Sequence, residues 1–170
     1  FNFILFKKKS FSFYNHFKEP FLFAISSSSS LATLPLTIES SKKTLQESNL
    51  VEIILPSFTN IQQIADCLLN GFLVLFFYQL TYSSLPSFSL WLTFTMHLVL
   101  IRFAGTGVSG GVMFLLLPLY QHYFNFDEKT LSIILSLNII FDPLVTGFNV
   151  LGNLSLSPIF EKIFFKKKYT

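Results

Sequence analysis

The apolar positions of this chain run in long blocks separated by short polar interruptions, and the most informative interruption lies inside the last block. From Asn138 to Asn153 the sequence reads NIIFDPLVTGFNVLGN, with Asn138, Asp142, Thr146, Asn149 and Asn153 spaced four, four, three and four apart. At about 100° per residue these positions fall within roughly an 80° arc of one helix face, and Ile, Phe, Leu, Val and Gly fill the rest. A polar stripe with a carboxylate in its middle is costly in hydrocarbon. It must face protein or a cavity, which makes it the first candidate for a substrate or ion path. The competing reading is structural, with Asp142 paired to a nearby cation and the Asn and Thr residues joining helices. Five aligned polar residues favour the path. Pro143 adds an irregularity, because its missing N–H leaves the Ile139 carbonyl for a side chain, a water or an ion.

Upstream, the same reading gives four further segments. Phe1 to Phe6 is apolar but too short to span, and we expect 1–9 to be the end of a preceding span followed by the basic loop Lys7 to Lys9. Across 17–40, two apolar arms, Pro20 to Ile25 and Leu31 to Ile38, flank the serine run Ser26 to Ser30. Each arm is shorter than the ~20 residues a spanning helix needs. With Lys18 and Lys42/Lys43 flanking the same side, the pattern predicts a hairpin that enters the bilayer and returns. The alternative is a serine-rich linker, against which the apolar run Leu31 to Thr37 argues. Glu39 to Ser48 reads as a surface loop. The stretch 50–80 is a long apolar helix interrupted by Thr59, Asn60, Ile61, Gln62 and Gln63, the form in which transporter spans expose carbonyls and half-helix ends to substrates and cations. Across 90–126, apolar arms flank Ala104 to Gly111. That uncharged glycine-rich stretch fits a second re-entrant tip, where backbone approaches a ligand, or a short turn between two full spans. Asp127 to Lys129 is an acidic loop, and the striped helix occupies 130–160.

Composition turns these blocks into a membrane protein. Charged residues are 12% of the chain, 51% is hydrophobic, 23 residues are Phe and the mean hydropathy is +0.57, against about a quarter charged in a soluble domain. Between Cys67 and Phe126 the sole formal charge is Arg102. The lysines cluster beside apolar spans, which sets orientation rather than binding nucleic acid. If both hairpins return, ten lysines (7, 8, 9, 18, 42, 43, 162, 166, 167, 168) share one side and Lys129 lies on the other, so both termini are expected in the cytoplasm of a multi-pass inner-membrane protein. One cysteine, Cys67, excludes an internal disulfide, and His16, His97 and His122 are too scattered for a metal site. No motif joins a nucleophile to its base, so no enzyme and no cofactor are expected. The chain starts at Phe1 without a cleavable signal pattern, and we expect it to be a piece of a longer protein. The expected fold class is an all-α membrane protein, a single domain over 1–170 with two re-entrant helical hairpins plus two transmembrane helices, one of them interrupted.

The order of serine-rich tip and ATLPLT, interrupted helix, glycine-rich GTGVSGG and terminal FDPLVTGFNVLGN resembles the dicarboxylate/amino acid:cation symporter family, of glutamate transporter type, over essentially the whole chain. The resemblance is to that family's C-terminal transport core. It implies lipid surroundings, scaffold helices on a separate or missing polypeptide, and the homotrimer those scaffolds build. By position it implies substrate binding by Ser29, Ser30, Gly107, Val108, Asp142, Thr146 and Asn149, with Asp142 receiving an ammonium and Thr33 completing the first tip. It implies cation binding, sodium or proton, by Gln62, Asn138, Asn149 and Asn153. Four departures stand beside it. The family's arginine for an acidic side chain is Val145. The family's sodium motif in the interrupted helix falls on Gln62 to Asp66 and puts Ile64 at its aspartate. Two further acidic positions are Asn138 and Asn153. The expected function is symport of a small amino acid or dicarboxylate with a cation, without acidic-substrate specificity. The alternative is a degenerate, non-transporting remnant of such a symporter.

Overall fold

The computed structural model describes residues 15–45, 48–104 and 111–164. The basic loop of 1–9 and the glycine-rich tip with Gly107 and Val108 lie outside the described residues. Seven helices are described: α1 Lys18–Ser27, α2 Ser30–Lys42, α3 Ser48–Ile61, α4 Ile64–Tyr82, α5 Phe88–Ala104, α6 Gly111–Phe124 and α7 Glu128–Phe164. There is no strand among the described residues.

The serine run folds as a turn between two short helices rather than as a linker. Ser28 closes α1 in the left-handed region, with φ 48°, and its N–H reaches the Ala24 carbonyl. Ser29 is extended, and its hydroxyl accepts the Ala32 N–H at 3.2 Å, the cap that starts α2. The two helices pack on each other, and α2 packs on α3. At 10 and 13 residues they are about 15 and 20 Å long, short of a ~30 Å hydrocarbon core. The long apolar stretch is interrupted as the sequence predicts. The helix α3 stops at Ile61 and α4 begins at Ile64, leaving Gln62 and Gln63 outside helix. Asp127 opens α7 by accepting the Thr130 N–H at 3.0 Å, and Asn125 turns the chain in the left-handed region with φ 48°. Among the described residues, two segments are long and apolar enough to cross a membrane, Val51–Tyr82 and Glu128–Ile163. The second runs unbroken through Pro143 and Pro158.

The chain forms two compact units. One holds the described residues up to Gln62 and those from Thr146 onward; the other is Gln63–Val145. In the first, α1 lies on the C-terminal half of α7, where Phe17, Ala24, Val150 and Leu154 bury one another. Gly147 makes this approach possible: a Cβ there would stand 2.8 Å from Ile25 Cγ1 and 2.9 Å from Phe21 Cε2. In the second, α4, α5, α6 and the start of α7 share a core around Val74, Phe94, Leu116, Tyr120, Phe124 and Ile134.

Both units present large apolar side chains outward as well as inward, Leu22 and Ile53 in the first and more in the second. Leu68, Phe72, Phe76 and Leu80 form an exposed stripe four residues apart on α4, and Leu92, Met96 and Leu100 form another on α5. On α7, Ile140 and Leu144 opposite the polar stripe and Ile139 beside it are exposed at 66%, 45% and 63%. Such apolar exterior is a liability in water and the required exterior in lipid. Inside, Thr33, Thr37, Thr59, Asn70, Asn138, Asn149 and Asn153 are buried.

Candidate functional site

A polar side chain buried among helices in a membrane must find a partner, and the simplest is the carbonyl of its own helix four residues back. Several of the buried polar groups take that solution. Thr33 donates to the Ser29 carbonyl at 2.8 Å, Thr37 to Thr33 at 3.0 Å and Thr59 to Leu55 at 2.8 Å. Asn138 donates to Ile134 at 3.0 Å and Ser157 to Asn153 at 2.7 Å. These groups are satisfied without a ligand. The atoms that remain are informative: Gln62 Oε1, Asn153 Oδ1, Arg102 Nε and Trp91 Nε1 are buried without a hydrogen-bond partner. An orphaned buried polar atom costs about 1–3 kcal/mol, more if charged, unless something supplies its partner.

The stripe predicted on α7 is present and turned inward. Asn138, Thr146, Asn149 and Asn153 are buried, at 7%, 7%, 5% and 1% exposure, and Asp142 is half-buried. One helix carries all of them, but their neighbours belong to different units. In the unit formed by the chain's two ends, the Gln62 side chain lies directly on α7. A Cβ on Gly152 would stand 2.4 Å from Gln62 Nε2 and 3.1 Å from Oε1, so only glycine admits the amide there. Two unpartnered oxygens, Gln62 Oε1 and Asn153 Oδ1, belong to this unit. The same unit holds Thr146, Asn149 and the first tip, where Ser29 caps α2 and Ser30 begins it.

The other unit holds Asn138 and Asp142 with a group that sequence reasoning did not join. Arg102, near the end of α5, places Nη1 2.7 Å from Asp66 Oδ1 in the first turn of α4, with both side chains largely withdrawn from solvent. Asp66 and Arg102 lie within electrostatic reach of Asp142. Beside them Asn70, fully buried, donates to the Asp66 carbonyl at 2.9 Å and accepts from the Tyr120 hydroxyl. The signal for this pair was available. Two isolated opposite charges in apolar helices are costly in lipid unless they meet. Val145, where the resemblance would put an arginine, is a buried apolar side chain.

Outside the apolar segments, Lys42 pairs with Glu52 and Lys43 with Glu39 at the surface. Lys43 donates to Glu39 at 2.7 Å, one turn apart, and this hydrogen bond holds the Glu39 carboxyl below its ordinary range.

The unit formed by the chain's two ends thus holds unpartnered amide oxygens suited to a small ion, and the other unit holds Asp142 together with the Asp66–Arg102 pair. No curated protein and no solved structure matches the chain. The model of the sodium:dicarboxylate symporter family matches residues 1–163. That match covers both tips, the interrupted helix and the stripe, and the chain therefore belongs to the sodium:dicarboxylate symporter family, whose members are membrane transporters rather than enzymes.

Proposed function

We propose that the chain is the transport core of a secondary transporter that moves a small amino acid or carboxylate together with a cation. The observation that carries this is the α7 stripe, four buried neutral polar residues around the half-buried Asp142, in a chain whose exterior is otherwise apolar. Asp142 is the ammonium receptor, with Thr146 and Asn149 as its hydrogen-bonding neighbours on the helix face. Ser29, Ser30, Gly107 and Val108 complete the substrate-binding residues that the resemblance implies. Val145 gives a second substrate carboxylate no partner, and burying that group unpaired costs several kcal/mol. Neutral amino acids are therefore the preferred class.

The cation belongs to Gln62, Asn138, Asn149 and Asn153. Amide oxygens are not basic, so the unpartnered Gln62 Oε1 and Asn153 Oδ1 suit a hard metal cation such as sodium better than a proton. A proton has its own place on the stripe, at Asp142.

The test is uptake into proteoliposomes by the chain joined to an intact scaffold of a family member, with labelled alanine, serine, aspartate and succinate, in a sodium gradient and with choline replacing sodium. Saturable uptake that Asp142→Asn abolishes is the expected result. Uptake undiminished in Asp142→Asn removes the carboxylate from the site, and aspartate or succinate outcompeting alanine overturns the substrate class. Uptake that persists in choline but follows a pH gradient assigns the coupling to a proton.

A further inference from the structure

We propose that Arg102, held by Asp66, is the residue that receives the carboxylate of the transported substrate. The inference deepens the transporter reading above and rests on it. Among the described residues of its unit, Arg102 is the sole cation between Cys67 and Phe126, and it is 8% exposed. A guanidinium offers five N–H donors in a fixed planar fork. Asp66 Oδ1 engages Nη1 at 2.7 Å, whereas Nε is buried and meets no acceptor. A guanidinium held at one edge and orphaned at another is arranged to take a second carboxylate, because Arg and carboxylate match edge to edge.

Asp66 is a positioning residue in this arrangement. It compensates the charge of Arg102 in the empty protein and fixes the direction of the fork. Asn70 and Tyr120 extend the support, since Asn70 bonds the Asp66 carbonyl and the Tyr120 hydroxyl. The charges select the substrate. Asp66, Arg102 and Asp142 sum to minus one. A zwitterion leaves that sum unchanged, with its ammonium toward Asp142 and its carboxylate toward the free Arg102 edge. A dicarboxylate without an amino group adds two negative charges to a site that already has an excess of one. The substrate class is thus the zwitterionic α-amino acid.

The experiment is calorimetric titration of the full chain in nanodiscs with L-alanine, L-serine, their carboxamides and succinate. The proteins are wild type, Arg102→Lys, which keeps a cation for Asp66 but loses Nε–H, and the double variant Asp66→Asn/Arg102→Gln, which removes both charges together. Circular dichroism confirms folding of each. The wild type is expected to bind an amino acid more tightly than its carboxamide, by roughly tenfold to a hundredfold, the value of a hydrogen-bonded charge. Both variants are expected to bring the amino acid down to the level of its carboxamide, weakening the amino acid by a larger factor than the carboxamide. A structural role for Arg102 would weaken both ligands equally. An unchanged ratio in Arg102→Lys and in the double variant overturns the assignment and leaves the transporter reading intact. Succinate binding more tightly than alanine overturns the zwitterion class. Failure of every probe to bind wild type overturns the substrate-binding reading and this inference with it.

Discussion

Tyr120→Phe is the most informative single change outside the proposed binding residues, because it deletes one oxygen and leaves the ring in place. Tyr120 and Asn70 are both 0% exposed, and the hydroxyl donates to Asn70 Oδ1. Asn70 Nδ2 keeps its bond to the Asp66 carbonyl at 2.9 Å. The mutation therefore orphans one acceptor in the core between α4 and α6. Data from soluble proteins put that at about 1–3 kcal/mol. In a membrane the unfolded helices remain embedded, where Asn finds other partners, and measured couplings average about 0.6 and reach about 1.7 kcal/mol. The membrane value applies, because α4 and α6 are too apolar to leave the micelle on unfolding. We therefore expect a coupling of about 0.6–1.7 kcal/mol between Tyr120→Phe and Asn70→Leu. The assay is reversible SDS unfolding in mixed micelles, followed by circular dichroism, for both single variants and the double variant. Leu116→Ala, also 0% exposed on α6, calibrates the scale, since its cavity costs more than one hydrogen bond. Additivity of the pair within about 0.3–0.5 kcal/mol would refute the reasoning.

Three further outcomes are expected. Gly147→Ala forces Ile25 and Phe21 away from α7, since its Cβ would lie 2.8 and 2.9 Å from them, and should destabilise the unit by about 1–3 kcal/mol. Gly71→Ala, with nothing within 4 Å, should be neutral or stabilising by up to about 1 kcal/mol, so an equal effect of both in SDS unfolding contradicts the packing described. Gly152→Ala must turn the Gln62 amide off the helix, and should weaken activation of uptake by sodium at least about tenfold, the scale seen when groups around a metal are displaced; unchanged sodium dependence would clear Gln62 of that role. At the start of α7, hydrogen bonds from the Thr130 side chain and backbone hold the Asp127 carboxyl below its ordinary 3.8, so its stabilisation is full above that pH and is lost as pH falls through the lowered value. Asp127→Ala should lower the thermal midpoint at neutral pH and leave it unchanged in strong acid, and a difference that persists in acid would remove the carboxylate from the cap.

Periodicity made the stripe legible, because Asn138, Asp142, Thr146, Asn149 and Asn153 need only one helix to align. The serine turn was legible for the same reason, as its arms are too short and too apolar for either a span or a linker. The interruption was expected over Thr59 to Gln63 from its polar residues, and the backbone leaves helix at the last two of them. There the Gln62 amide docks on Gly152, a contact between residues far apart in sequence. The pairing of Asp66 with Arg102 was not legible. Each looked like an isolated departure, Asp66 within the altered sodium motif and Arg102 within an apolar arm. Only tertiary structure shows that they meet at 2.7 Å.

That pair also changes what the lost acidic positions mean. With Ile64, Asn138 and Asn153 where the resemblance leads one to expect carboxylates, and with Asp66 neutralised by Arg102, the charge in the apolar stretches 64–126 and 130–145 reduces to Asp142. Moving an uncompensated carboxylate through a low-dielectric barrier is far costlier than moving a neutral pair. A bound zwitterion leaves the net charge at minus one but gives Asp142 an ammonium partner, and a proton removes the charge, so we expect the occupied or protonated core to move more readily than one with Asp142 ionised and unpaired. Exchange of one amino acid for another should accordingly outpace net uptake at neutral pH, and acidification should narrow the gap by protonating the empty carboxyl. Measured in proteoliposomes preloaded with unlabelled alanine, a ratio of exchange to net uptake that falls toward one as pH drops is the expected result. A ratio independent of pH would mean that Asp142 is not the charge that governs the return step.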